Sequence, residues 1–106
     1  MTHQELKELA AHFFHDMVKA VVDVQRGLIA VDAELHADLE QLLLKDGSKQ
    51  GDLWGINFYP DLQGDDFVEY DSMINIRPAV NNRSRGVESE VIRSKIIEIV
   101  GLKVQR

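Results

Sequence analysis

Cysteine is absent from the 106 residues, proline occurs twice, and aromatic side chains make up only 7% of the chain. Without cysteine there is no disulfide framework, no cysteine-ligated zinc or iron-sulfur site and no thiol nucleophile. No run of about 18 apolar residues occurs, so no stretch reads as a membrane-spanning helix. The opening Met1-Thr2-His3-Gln4-Glu5 has neither the basic start nor the apolar centre of a secretory signal, which leaves the cytoplasm as the default expectation. Glycine-rich phosphate loops and dinucleotide fingerprints are also missing, so no cofactor is specified.

What is present is a chain 44% hydrophobic and 28% charged, the composition of one globular α+β domain over residues 1–106. A domain of this size buries only about 60–70% of the surface its unfolded chain exposes. The formal charge of −6 is segregated: residues 1–76 carry 5 basic and 15 acidic side chains, whereas residues 77–106 carry 7 basic and 3 acidic ones. A nucleic acid would be repelled by most of the chain, while a local anion site near the C-terminal third stays open.

Thr2 and Glu5 fit a capping box, followed by Leu6, Leu9, Ala10, Phe13 and Met17 at helical spacing, which predicts a helix over 3–16. β-Branched residues from Val18 to Val24, a break at Gln25-Arg26-Gly27, and Leu28 to Val31 predict a hairpin. Between Asp32 and Lys45 strand and helix patterns overlap. The strand is expected to continue to about Leu35, with a helix starting near Asp38, capped by Asp38 and closed by Gly47. Two further strands are expected over Leu53–Tyr59 and Phe67–Arg77, each stopped by a proline, Pro60 and Pro78. Ser89 caps a last helix with Ile92, Ile96, Ile99 and Val100 on one face, ended by Gly101.

The resulting order, α-β-β-α-β-β-α, predicts an antiparallel sheet of about four strands in two hairpins, with helices mainly on one face. Alternation places Trp54, Ile56, Phe58, Val68, Tyr70, Ile74 and Ile76 on a core face and Gly55, Asn57, Tyr59, Glu69, Asp71, Asn75 and Arg77 on an opposite, polar face.

Three constellations bear on chemistry. Asn57, Asn75 and Arg77 offer amide and guanidinium donors to a carboxylate or phosphate, against which stands an ordinary solvated face with Arg77 paired to Asp71 or Glu69. Asn81, Asn82, Arg83, Ser84, Arg85 and Gly86 lie ahead of a helix N-terminus, where anions are favoured; alternatively the asparagines and glycine serve the turn and the arginines pair with the acidic part of the chain. Glu34, His36, Asp38 and Glu40 alternate with apolar residues and, in an extended chain, could hold a divalent metal or supply the acid-base candidates Glu34, His36 and Asp38, against which stands an ordinary solvent-facing strand. His12, His15 and Asp16 read as a solvated helix face and Asp61, Asp65 and Asp66 match no calcium loop, so no metal site is expected.

Glu34-Leu35-His36-Ala37-Asp38, Leu53-Trp54-Gly55-Ile56-Asn57, Asn75-Ile76-Arg77-Pro78 and Asn82-Arg83-Ser84-Arg85 give the chain a likeness to a known family. From about residue 17 to 100 it resembles a family of small bacterial proteins labelled only as a domain of unknown function, a resemblance that implies no substrate and no catalytic residue. Similar sequences begin with a short apolar stretch ahead of the first helix. Loss of such an edge strand would leave a sheet edge open to a second copy.

The expected function is a module that binds an anionic small molecule through Asn57, Asn75, Arg77, Asn82, Arg83 and Arg85, with catalysis left open. The alternative is a non-catalytic homo-oligomeric or protein-interaction domain, for which Val91 and Ile97 widen the apolar face of the last helix. Nucleic acid and membrane are not expected partners.

Overall fold

The first helix starts as its sequence dictates. In the computed structural model, which describes residues 1–105, the Thr2 hydroxyl accepts from Glu5 N–H and the Glu5 carboxylate accepts from Thr2 N–H, each at 3.1 Å. Helix α1 spans His3–Phe13 and buries Leu6 and Ala10. It ends short of residue 16 because His15 takes a left-handed φ of 72°, which no helix accommodates.

Strands β1 (Val18–Asp23) and β2 (Leu28–Ala30) form the expected hairpin. The buried Asp23 carboxylate accepts from the N–H groups of Gln25 and Arg26, and Gly27 supplies a φ of 68°. The expected extension of β2 to Leu35 is not found. Asp32, at φ 80°, turns the chain, and helix α2 begins at His36 and runs to Lys45. Leu35 stands at its N-cap without a side-chain bond, so Asp38 does not cap it. An earlier start puts His36, Leu39, Glu40 and Leu43 on one buried face, and that burial outweighs the missing cap. Gly47 closes the helix as expected: at φ 103° it donates to Leu44 C=O while Ser48 N–H donates to Leu43 C=O.

Strand β3 (Leu53–Phe58) is buried throughout and pairs antiparallel with β1 from Val18↔Phe58 to Asp23↔Leu53. Strand β4 is only Val68–Glu69, so the sheet order is β2-β1-β3-β4 and the expected strand over Phe67–Arg77 is not formed. Met73–Asn75 and Pro78–Val80 are 3-10 turns instead. Where a longer β4 would have paired, the Asn75 side chain does so. Its Oδ1 accepts from Gly55 N–H at 2.8 Å and its Nδ2 donates to Gly55 C=O at 2.9 Å. One primary amide thus stands in for one residue of backbone ladder.

Both faces of the sheet are covered, which corrects the expectation of a polar face. Ala20, Val22, Trp54, Ile56 and Phe58 pack with residues of α1 and of helix α3 (Glu90–Lys103). On the opposite face Val21, Ala30 and Leu53 pack with Leu39 and Leu43 of α2. Full burial of an isoleucine such as Ile96 contributes about 1.5–3 kcal/mol. Ser89 caps α3 by accepting from Ile92 N–H, but Gly101 does not end it; the helix continues to Lys103. Among the described residues no helix is long and apolar enough to cross a membrane.

Candidate functional site

A row of polar side chains crosses the face of the sheet that α2 covers. Lys19 on β1 lies opposite Asn57 on β3, and Asn57 lies opposite Glu69 on β4. The apolar residues of α2 cover the other end of this face, so the row stays beside the helix start. There His36 lies over it, 7% exposed, its Nε2 2.8 Å from Ile56 C=O. A carbonyl only accepts, so Nε2 carries the ring hydrogen and Nδ1 is left with a lone pair. Tyr59, Asp71 and Arg85 complete a cleft of about 410 Å³.

The bonds within the cleft fix its orientation. Asn57 Nδ2 donates to Glu69 Oε1 at 2.9 Å and to Asp71 C=O at 3.3 Å, and the Tyr59 hydroxyl donates to the same Glu69 oxygen at 3.0 Å. Arg85 Nε meets Asp71 Oδ1 at 2.6 Å. Asn75 sets the place of Arg85 from behind, since its Nδ2 donates to Arg85 C=O, which also accepts from Ser72 N–H. Asn57 Oδ1 is buried and has no donor on it while the His36 ring beside it is neutral.

Burial holds the His36 imidazole below its ordinary pKa of 6.5, against the bond to Ile56 C=O, with Lys19 lowering it further and Asn57 and Asp71 raising it. The Tyr59 phenol is pushed up by burial and by its bond to Glu69. For a group whose native pKa is depressed, the unfolded chain takes up the proton first, so stability is complete above pH 6.5 and declines as pH falls through that value toward the lower native one. Chemical denaturation between about pH 7 and about pH 5 is expected to show a falling midpoint that is flatter in His36→Gln. Equal slopes in the two proteins would show that His36 titrates as it does in the unfolded chain.

Other residues expected in a site lie elsewhere. Glu34 and Asp38 are exposed and stay outside the cleft, because the helical turn at His36 disperses the alternating set. Arg77 lies on the far edge of β3. Its Nη2 donates to Leu53 C=O at 2.5 Å, its guanidinium stacks on Trp54 with 4.8 Å to the ring centroid, and Glu40 Oε2 is 3.8 Å away. Asn82 is buried, its Nδ2 donating to the carbonyls of Asn75, Ser84 and Gly86 and its Oδ1 accepting from Glu88 N–H.

The loop read as an anion cradle holds an anion of its own. Glu88 Oε2 accepts from the backbone N–H groups of Arg83 and Ser84 at 2.6 and 3.0 Å and from the Ser84 hydroxyl at 3.3 Å. Those bonds hold the Glu88 carboxyl below the usual carboxylate range. Arg83 itself is exposed. Of the six expected ligand-binding residues, then, Asn57 and Arg85 meet in the cleft, and Asn75 supports it from outside.

A family model described as protein of unknown function (DUF5674) matches residues 1–102. The chain belongs to that family. No curated protein and no solved structure matches it. The match takes in α1 as well as the segments from residue 17 onward, and so covers every residue of the cleft. Lys19 is the charged cleft residue that sequence reading passed over, while alternation puts Tyr59 and Glu69 on the polar face with Asn57 without marking them as site residues. Tyr59 shares that face along one strand, whereas Lys19 and Glu69 are brought beside Asn57 by the register. Among the described residues no three histidine or acidic side chains come together as metal ligands.

Proposed function

We propose that the chain binds a small anionic molecule, bearing phosphate or carboxylate, in the cleft between the start of α2 and the β3-β4 edge. The observation that carries this reading is a pair of cations lining the cleft with donors to spare. Lys19 has no carboxylate partner among the described residues and rests over the Phe14 ring at 5.4 Å, and Arg85 uses only Nε on Asp71, leaving both Nη groups for a ligand. A guanidinium presents two parallel N–H donors to a carboxylate or phosphate, and a buried floor excludes competing water. Of the three acid-base candidates, His36 alone lines this cleft, with Nδ1 as its basic atom.

Paired variants test the assignment. Arg85→Ala is expected to weaken binding of inorganic phosphate or small carboxylates at least about tenfold in calorimetric titration, and to change Tm by no more than about 5 °C, because an exposed ion pair contributes only about 0–1 kcal/mol. Arg77→Ala is expected to do the reverse. It removes the bond to Leu53 C=O and the stacking on Trp54, so Tm falls by about 8 °C or more with affinity retained. Unchanged affinity in Arg85→Ala would remove the cleft from consideration.

A second reading, self-association, is favoured by Val91 and Ile97, which are 66% and 49% exposed on α3, and by Leu102 at 75%. A native mass at a multiple of 12.0 kDa would support that reading.

A further inference from the structure

The ligand of this cleft has a second pole. We infer that it is a zwitterion of amino-acid type, whose anionic group meets Arg85 and Lys19 and whose ammonium group meets Asn57 Oδ1 and Glu69; this rests on the anion-binding reading above.

The argument begins with the direction of the Asn57 amide. Nδ2 must face Glu69 and Asp71 C=O, because a reversed amide would set its oxygen against two acceptors. Oδ1 is therefore the atom left over, on a residue only 4% exposed. An acceptor buried without a partner costs about 1–3 kcal/mol, and a simple anion would leave that cost in place as long as His36 stays neutral. Beside it stand two more acceptors. His36 Nδ1 has no hydrogen, since the ring hydrogen is on Nε2, and Glu69 receives both of its donors on Oε1, leaving Oε2.

The cleft thus divides into donors at Arg85 and Lys19 and acceptors at Asn57, Glu69 and His36. Its formal charges balance, with Lys19 and Arg85 against Glu69 and Asp71. A ligand with one charge of either sign would upset that balance; a zwitterion preserves it. An ammonium group brings three N–H donors, enough for Oδ1, Oε2 and Nδ1 together. The volume of about 410 Å³ leaves room for a molecule of this size.

The test is calorimetric titration of the whole protein with alanine, β-alanine and γ-aminobutyrate, alongside propionate, butyrate and propylamine. The expected result is that at least one amino acid binds at least about tenfold more tightly than its matched carboxylate, the worth of one satisfied buried acceptor. In Glu69→Gln, which keeps an oxygen for Asn57 and Tyr59 but loses the charge, this preference should shrink, with carboxylates binding at least as tightly as before because the cleft then carries a net positive charge. Carboxylates binding as tightly as amino acids would overturn the zwitterion and leave the anion site standing. If neither inorganic phosphate nor any carboxylate-bearing probe bound, both would fall. Carboxylate binding with uptake of one proton, read from titrations in buffers of different ionisation enthalpy, would also overturn it, because protonated His36 would then be the donor to Oδ1.

Discussion

Asn75→Ala is expected to destabilise the fold more than any other single truncation of a polar side chain considered for this chain. The Asn75 amide bonds Gly55 N–H, Gly55 C=O and Arg85 C=O, and the residue is fully buried. Alanine leaves the N–H and C=O of Gly55 without partners, at about 1–3 kcal/mol each before relaxation, and takes from Arg85 C=O one of its two donors, the other being Ser72 N–H. Relaxation and water entry at the sheet edge will recover some of this, so a loss of about 3–5 kcal/mol is expected in urea unfolding, a large part of the stability of a small domain. The effect has a local signature. The Gly55 amide should exchange with solvent faster relative to the β1-paired amides of β3, because only the edge bond is lost. A loss below about 1 kcal/mol would show that water replaces the side chain without penalty.

Gly55→Ala should be nearly as damaging, for a steric reason. A Cβ built at Gly55 would lie 2.5 Å from Ser72 Cβ and 2.6 Å from Ser72 Oγ, with Ile74 Cγ1 at 3.2 Å. The nearest obstacle is a Cβ fixed to backbone, so the 72–75 segment must move as a unit and with it the Asn75 bonds. A loss of about 2–3 kcal/mol is expected, in the range for forcing extra atoms into a packed interior. Adding Ser72→Gly removes both close atoms, and the double variant should recover much of the loss. Additive losses in that cycle would mean that the clash is relieved some other way.

These two residues also explain where sequence reading stopped. Tyr70, Ile74 and Ile76 alternate with Asp71, Asn75 and Arg77, the signature of a half-buried strand, yet β4 ends at Glu69. Period two records which way side chains point and says nothing of which group satisfies the neighbouring strand. Here a side-chain amide does, and composition cannot distinguish that from a ladder. Local chemistry, by contrast, was readable: the Thr2-Glu5 capping box, the Gly27 turn, the Gly47 helix closure and the Ser89 cap all depend on residues a few positions apart.

The α2 segment failed for a related reason. Glu34, His36, Asp38 and Glu40 share a face only in an extended chain; in a helix His36 and Glu40 stay together and the others separate. Burial of Leu39 and Leu43 against Val21 and Leu53 decided between the two, and those contacts come from distant parts of the sequence. Half of the site was therefore legible. Asn57 and Arg85 were marked by residue type and Tyr59 and Glu69 by alternation onto the polar face, whereas Lys19 joins them only through strand register.

Glu88 closes the question of the arginine loop in a way the separate bonds do not express. Its carboxylate is a resident competitor, joined to the amides of Arg83 and Ser84 by a few residues of backbone, so its local concentration is in about the millimolar range or above whatever the solution contains. A free anion arriving at those amides must displace a rival that cannot diffuse away. The basic third of the chain therefore carries its positive potential without offering a vacant seat there, and solution anions drawn to it are passed over to whichever cations lack such a tenant.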